Sequence, residues 1–265
     1  MTYFGVVKKK EIDPEEFHDP IVLIGWPGIA LIGKLAVSSI KDSIGAEIFM
    51  EIDFFDFPPK SNVEGGSLEI PSAQVYFKPR NEFNKKNDLF ILTGDYQPQS
   101  SNGVFEFSKK FCDIMKEITG DKIKLYISTA ALVTDIVQEP PNIHICGTQD
   151  DIIKSFTQYK HTVIMKNGVI AGANGILPAW AGLRGYAPGV CLLAETNPLP
   201  IMSLEPKASK ALASLLGEYF SISIDLSHID KKIKEMEDFF ESLNRQTNST
   251  TIEEGKNLGS DSYFR

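Results

Sequence analysis

Short apolar segments alternate with segments of helical periodicity along most of the chain. Residues 20–25 are apolar throughout, which is typical of a strand buried on both faces of a parallel sheet. Residues 29–40 repeat apolar positions at helical spacing, so a strand, a turn and a helix follow one another. This alternation predicts an α/β fold, with a layered, mostly parallel or mixed sheet and flanking helices. Further predicted strands span residues 46–55, 73–77, 88–93, 122–129, 142–146, 162–165 and 189–193, and further predicted helices span residues 103–119 and 177–184.

The pattern beyond residue 203 is helical only. One helix is predicted over residues 206–219, where alanine and leucine predominate, and a second over residues 227–243. Apolar residues recur in the second helix at alternating steps of three and four, which defines a heptad seam. This seam either packs on its own domain or the preceding helix, or forms an interface between subunits. The candidates for an oligomer interface are Leu226, Ile229, Ile233, Met236, Phe240 and Leu243.

The last part of the chain combines a polar segment with an aromatic end. Residues 245–262 consist mainly of Asn, Gln, Thr, Ser, Gly and charged residues, which bury too little surface to offset their ordering entropy, so we expect a flexible tether. The chain ends in Tyr263, Phe264 and Arg265, and two aromatic rings at a free end indicate a docking motif. The predicted organisation is an α/β domain at residues 1–202, a helical pair at 203–244 and a tail at 245–265.

The composition is that of a globular protein, because 42% hydrophobic and 23% charged residues exclude wholesale disorder. A net charge of −8, with no basic cluster, argues against nucleic-acid and anionic-membrane partners. No apolar run approaches the ~20 residues needed to span a bilayer, and no signal-peptide pattern is visible. We therefore expect a cytoplasmic protein.

Candidate catalytic and metal-binding residues are few. The three cysteines lie far apart, without the Cys/His spacing of zinc sites, so we expect neither a disulfide framework nor a metal. His144 and Cys146 lie on the same face of a predicted strand, where we favour packing over a nucleophilic pair. No GxSxG serine or carboxylate pair is evident, and we predict no cofactor and no enzymatic activity.

The first of three glycine-rich loops resembles a phosphate-binding loop. Residues 28–34 nearly match the pattern GxxxxGK[ST] after a strand, but Leu35 lacks the hydroxyl that would bind Mg²⁺. We therefore favour a structural role. Gly25 and Gly28 would permit a tight turn, and Gly33 would let the helix approach the sheet.

The other two loops carry polar side chains. Gly94 and Gln97 follow a predicted strand, and ligand crevices form at the carboxyl ends of strands in such sheets. Gln97 either belongs to a site or holds a turn. The glycine-rich segment 168–189 contains the turn Asn174-Gly175 and either cradles a phosphate or lets a helix enter close to the sheet. We favour the close-packed helix.

The three motifs together resemble a known family. They begin at Gly25, Gly94 and Gly172, and two helices follow them. In this order they are similar to the PAC2 family, the proteasome assembly chaperone family, and in particular to its archaeal members, over about residues 19–243. The candidate loop site within these motifs consists of Gly25, Trp26, Pro27, Gly28, Gly33, Gly94, Gln97, Asn174 and Gly175.

The resemblance implies an α/β domain laid out like nucleoside phosphorylases. It also implies a homo-oligomer, a tetramer in archaeal relatives, that binds the 20S proteasome without hydrolysing ATP. Archaeal proteasome activators end in a hydrophobic residue, a tyrosine and any residue; Tyr263, Phe264 and Arg265 look like this motif, with Phe264 replacing the tyrosine. The implied function is a non-enzymatic chaperone or adaptor that docks these residues on the 20S α-ring and aids assembly or gate opening.

Two alternatives stand beside this function. The first is a nucleotide- or small-molecule-binding enzyme, ATP-grasp-like or phosphorylase-like, whose glycine-rich loops converge at one crevice. The first motif shows no Mg²⁺ ligand for such an enzyme. The second alternative is an assembly scaffold with no proteasome role.

Overall fold

The computed structural model describes residues 3–80, 87–197 and 204–238. Its residues group into two compact units, Met1–Asp225 and Leu226–Arg265. The strands of the first unit are β1 (Phe4–Lys8), β2 (Ile21–Ile24), β3 (Glu47–Phe54), β4 (Asn62–Glu64), β5 (Ser67–Glu69), β6 (Ala73–Lys78), β7 (Leu89–Gly94), β8 (Leu125–Val133), β9 (Ile143–Gly147), β10 (Thr162–Ile164) and β11 (Gly189–Thr196). The helices are α1 (Ile32–Ser43), α2 (Ser101–Thr119), α3 (Asp150–Phe156), α4 (Ala173–Leu183) and α5 (Pro206–Phe220).

A nine-stranded mixed sheet forms the centre of the first unit, in the order β1-β3-β6-β7-β2-β8-β11-β9-β10. The four middle strands, β7, β2, β8 and β11, run parallel to one another. Antiparallel pairs join this group to β6 on one side and to β9 on the other. The short strands β4 and β5 form a separate hairpin. The predicted mixed sheet is confirmed, and β2 lies at its centre, as its wholly apolar sequence predicts.

Helices cover the sheet in two pairs. α2 packs on α4, and α1 packs on α5, while α4 and α5 both contact β11. The large hydrophobic cluster of the unit joins α2 and α4 to alternate residues of the sheet, such as Val22 and Ile24. Phe107 of α2 lies within this cluster, in contact with the rings of Phe4, Trp26, Phe54, Phe57 and Phe111.

Every strand and helix predicted within the first unit overlaps an observed element, whereas four of the described β-strands and α-helices named above are not predicted. These four are β1, β4, β5 and α3. Among the described strands, β1 pairs with β3 alone and is half-exposed; its apolar run, Phe4–Val7, is interrupted by Gly5 and followed directly by lysines, unlike the run of a central strand. α3 has 7 residues and buries Phe156 alone, which is too short a pattern for helical periodicity to reveal.

The second unit is described as far as residue 238. Residues 227–238 are helical, with Ile229 buried and Leu226, Ile233 and Met236 partly buried. Phe240 and Leu243 lie outside the described residues, and the seam as a subunit interface stays a prediction. The domain organisation likewise stays a prediction, although α5 belongs to the compact unit that ends at Asp225.

Candidate functional site

The three glycine-rich motifs meet at the carboxyl end of the parallel strands, where Gln97 joins them. Its Nε2 donates a hydrogen bond of 2.6 Å to the carbonyl oxygen of Pro27 in the first motif. Its Oε1 accepts one of 2.8 Å from the backbone N–H of Ala173 in the third motif. One side-chain amide therefore fixes the second motif to both others, which the sequence alone left open.

Asn174 forms a second link between the first and third motifs. Its Oδ1 accepts a 3.3 Å hydrogen bond from the backbone N–H of Trp26, and its carbonyl oxygen accepts one of 2.5 Å from Ser128 Oγ. The residue is 5% exposed. These bonds hold the first turn of α4 against β8 and the loop after β2, so Asn174 is positioned by one backbone N–H and one side-chain hydroxyl of the protein itself.

Gly33 and Gly175 permit close packing, as predicted. A Cβ atom at Gly33 would lie 2.3 Å from the carbonyl oxygen of Thr129, so only glycine lets α1 start this close to β8. A Cβ atom at Gly175 would lie 2.6 Å from the carbonyl oxygen of Ile170. Gly25 is similarly restricted, because its Cβ would lie 2.7 Å from Cβ of Val37.

Gly28 begins the predicted turn, because its carbonyl oxygen accepts from the N–H of Leu31, but its own conformation does not require glycine. Its backbone is extended, with φ −153°, a conformation open to any residue. The left-handed residues of this turn are Ala30 and Leu31, with φ angles of 46° and 54°. A Cβ atom at Gly28 would lie 3.7 Å from Asn174 Nδ2 and 3.8 Å from Gln97 Nε2. Gly28 therefore leaves open the space above two side-chain amides.

Lys34, the lysine of the phosphate-loop pattern, is bound to the protein itself. Its Nζ donates a 2.8 Å hydrogen bond to the carbonyl oxygen of Gly94. Burial lowers the pKa of Lys34, and the nearby Asp95 carboxylate acts in the opposite direction. The loop from Gly28 to Leu31 is a single tight turn, closed by a 3.1 Å hydrogen bond from the Leu31 N–H to the Gly28 carbonyl oxygen. This geometry favours the structural interpretation of the motif.

An apolar cleft of about 390 Å³ opens beside these loops. Trp26, Gly28, Gly33, Gln97 and Asn174 of the candidate loop site line it, and none of the described residues that line it is charged. Its walls are mainly aliphatic, from Ile29, Ala131, Val133, Val169, Ile170 and Leu193. Val169 is 92% exposed, so the mouth of the cleft presents apolar surface to solvent.

His144 and Cys146 have separate partners, which supports packing over a nucleophilic pair. His144 Nε2 lies 2.9 Å from Glu195 Oε1, and Cys146 stands opposite Cys191 in the register of β9 and β11. Burial acts to raise the pKa of Glu195, but hydrogen bonds from His144, Gln138 and Asn142 outweigh it, and the pKa lies below its usual value. Glu195 is a buried carboxylate that was not among the predicted site residues, and the signal that marks it is an acidic residue near the end of an apolar strand.

Residues 3–80, 87–197 and 204–238 contain no group of three His, Cys, Asp or Glu side chains that could hold a metal ion. No helix in these ranges is long and apolar enough to cross a membrane. The predicted docking residues Tyr263, Phe264 and Arg265 lie outside them.

The fold and the three linked motifs define an α/β protein of the PAC2 type. The PAC2 family model matches residues 22–244, and the chain belongs to this family. The family predicted from the three motifs and the predicted α/β fold class are both confirmed.

The similarity to known proteins extends along nearly the whole chain. The crystal structure of Pyrococcus furiosus PbaB, described as an archaeal proteasome activator, is 26% identical, with a TM-score of 0.81 over 92% of this chain and 100% of that one. The structure of Pyrococcus furiosus PbaA, an archaeal homolog of proteasome-assembly chaperone, is 18% identical, with a TM-score of 0.71 over 96% of this chain and 97% of that one. Uncharacterized protein MJ1210 of Methanocaldococcus jannaschii is 25% identical over 92% of this chain and 91% of its own.

Proposed function

We propose that this protein is a non-enzymatic, homo-oligomeric chaperone or adaptor of the 20S proteasome. The observation that carries the proposal is the similarity to PbaB, which spans all of that chain with a TM-score of 0.81. The role of PbaB as a proteasome activator gives the class of partner. Membership of the PAC2 family supports the same class.

The C-terminal end is the proposed point of contact. Tyr263, Phe264 and Arg265 offer two aromatic rings and a terminal carboxylate, which suit a pocket that encloses the rings and pairs the carboxylate with a cation. Burial of one ring is worth about 1.5–3 kcal/mol. Phe264 lacks the phenol hydroxyl of the tyrosine in the related motif, and a lost hydrogen bond costs about 0.5–1.5 kcal/mol.

The tail and the oligomer act together in this proposal. A tether with the length and composition of residues 245–265 reaches roughly 25 Å. The terminal residues can therefore enter a pocket that is too narrow for the folded domain. Three residues bind weakly alone, but several tails on one oligomer raise the affinity by about 10²–10⁴ if their spacing fits the ring. The heptad seam from Leu226 to Leu243 supplies the proposed oligomer interface.

The geometry of the loops supports a structural role rather than nucleotide chemistry. Gln97 and Lys34 bond to the protein's own carbonyl oxygens, and the cleft beside them is lined, within the described ranges, by no charged residue that could bind a phosphate. ATP with Mg²⁺ should accordingly give no saturable heat of binding in calorimetry. Micromolar binding that is lost on substitution of Lys34 would favour the enzymatic alternative instead.

A pull-down with purified 20S proteasome tests the proposal. Deletion of residues 263–265 should abolish capture and leave the oligomer mass, measured by light scattering, unchanged. Deletion of residues 248–250 is the matched control, because it shortens the tail equally and keeps the terminal residues; it should retain capture. If the chain without residues 263–265 is captured equally well, the docking proposal is wrong.

A further inference from the structure

The cleft contains an unused hydrogen-bond donor. Asn174 is buried, with 5% of its surface exposed, and its Oδ1 accepts a hydrogen bond from the backbone N–H of Trp26. Within the described part of the chain, no acceptor is bonded to its Nδ2, which faces the space left by Gly28. An amide nitrogen carries two N–H donors, so Nδ2 retains hydrogen-bonding capacity beside the cleft that Asn174 lines.

A second amide lies beside the first. Gln97 Nε2 uses one N–H on the carbonyl oxygen of Pro27 and has a second to donate. Both nitrogens lie within 3.8 Å of the position that a Cβ atom at Gly28 would occupy. Both donors border the space at Gly28, and none of the described residues that line the cleft is acidic, which matches a ligand that carries acceptor oxygens.

The field at this end of the cleft favours negative charge. α4 has 11 residues and begins at Ala173, beside Asn174, so its positive end lies at the donors. Other residues that line the cleft, including Val133, Val169 and Leu193, are aliphatic. The volume of about 390 Å³ falls at the lower end of the range for small-molecule sites. One end of the cleft thus suits an anion, and the rest suits an apolar body.

We propose that this cleft binds a small carboxylate with an apolar body, whose carboxylate oxygens accept from Asn174 Nδ2 and Gln97 Nε2. The aliphatic walls then enclose the remainder of the ligand. Binding requires no catalysis and no residue of the C-terminal tail. If the cleft binds no carboxylate, the proteasome proposal is therefore unaffected, and if the chain binds no proteasome, the cleft proposal is unaffected.

Phenylpropionate is a suitable probe for the full chain, with binding followed by ligand-observed NMR and titration. We expect saturable binding with a Kd below about 1 mM. Phenylpropionamide should bind several-fold more weakly, because it is uncharged, and phenylpropylamine should not bind. Equal binding of the amine, or no saturable binding of the carboxylate, would overturn the proposal.

Two variants locate the site. Asn174→Asp keeps the acceptor for Trp26 N–H but replaces the free donor with a carboxylate oxygen, so affinity should fall by roughly tenfold or more. Gln149→Glu makes the same amide-to-carboxylate change just after β9, whose end lies beside the start of β11 and so at the other end of the parallel strands. This variant should bind phenylpropionate as the wild type does. Equal weakening by both variants would show a general charge effect and contradict the assignment.

Gly28→Ala provides an independent check should Asn174→Asp fail to fold. The added methyl would make ordinary contacts with both amide nitrogens, and the extended backbone accepts alanine without strain. The variant should melt as the wild type does and bind phenylpropionate roughly tenfold more weakly, because the methyl covers the donors. Unchanged affinity in this folded variant would place the ligand elsewhere and refute the proposal.

Discussion

Replacing Gln97 with leucine tests whether its amide holds the three motifs together. Gln97→Leu removes the donor to the Pro27 carbonyl oxygen and the acceptor for Ala173 N–H, and leaves both backbone groups partly buried without that partner. Each lost hydrogen bond costs about 0.5–1.5 kcal/mol, so the free energy of unfolding should fall by about 2 kcal/mol. At this chain length, that loss lowers Tm by about 4–8 °C.

Calorimetric melting, with Gln99→Leu as the control, measures this loss. The Gln99 side chain is exposed and makes one hydrogen bond, to the carbonyl oxygen of Gln97, so its replacement should change Tm by less than about 2 °C. Equal Tm values for the two variants would refute the view that Gln97 stabilises the junction of the loops.

Three further substitutions have defined outcomes. Phe107→Ala leaves a cavity among five aromatic rings and should lower the free energy of unfolding by about 3–5 kcal/mol in urea titration; a loss below 1 kcal/mol would contradict that packing. Glu195→Gln should destabilise at neutral pH. Because the folded pKa of Glu195 is lowered, its contribution exists above the unfolded pKa and is lost as pH falls through the folded pKa, so the difference should vanish in acid; a difference that is constant with pH would contradict this. Phe264→Tyr restores the hydroxyl of the related motif and should tighten proteasome binding by up to roughly tenfold in biolayer interferometry, whereas weaker binding would argue against docking of this ring.

The buried strands could be predicted because burial on both faces leaves an unbroken apolar run in the sequence. β2 and β7 are buried along their whole length, and both were predicted within one residue at each end. Edge and short elements leave shorter or interrupted runs: β1 is half-exposed and its apolar residues are interrupted by Gly5, and α3 has Phe156 as its buried residue. Their formation depends on neighbours that are distant in sequence.

The candidate site was predicted in outline only. The motifs identified Gln97 and Asn174 as polar residues at a strand end and a helix entry, but not their partners. The groups that Gln97 binds are backbone atoms 70 and 76 residues away, and no residue type marks a backbone acceptor. Gly28 was assigned to the turn because glycine often permits left-handed backbone, yet Ala30 and Leu31 adopt that conformation here.

Photo-crosslinking from position 264 tests most directly whether the C-terminal end docks on the proteasome. Benzoylphenylalanine in place of Phe264 keeps an aromatic ring and reports which chain surrounds it; the same residue in place of Ser249 is the control within the tail. On irradiation with purified 20S proteasome, position 264 should crosslink to α-subunits and position 249 much less. Crosslinks from position 264 confined to the protein's own chain, in a mixture that still forms the complex, would contradict the proposed docking.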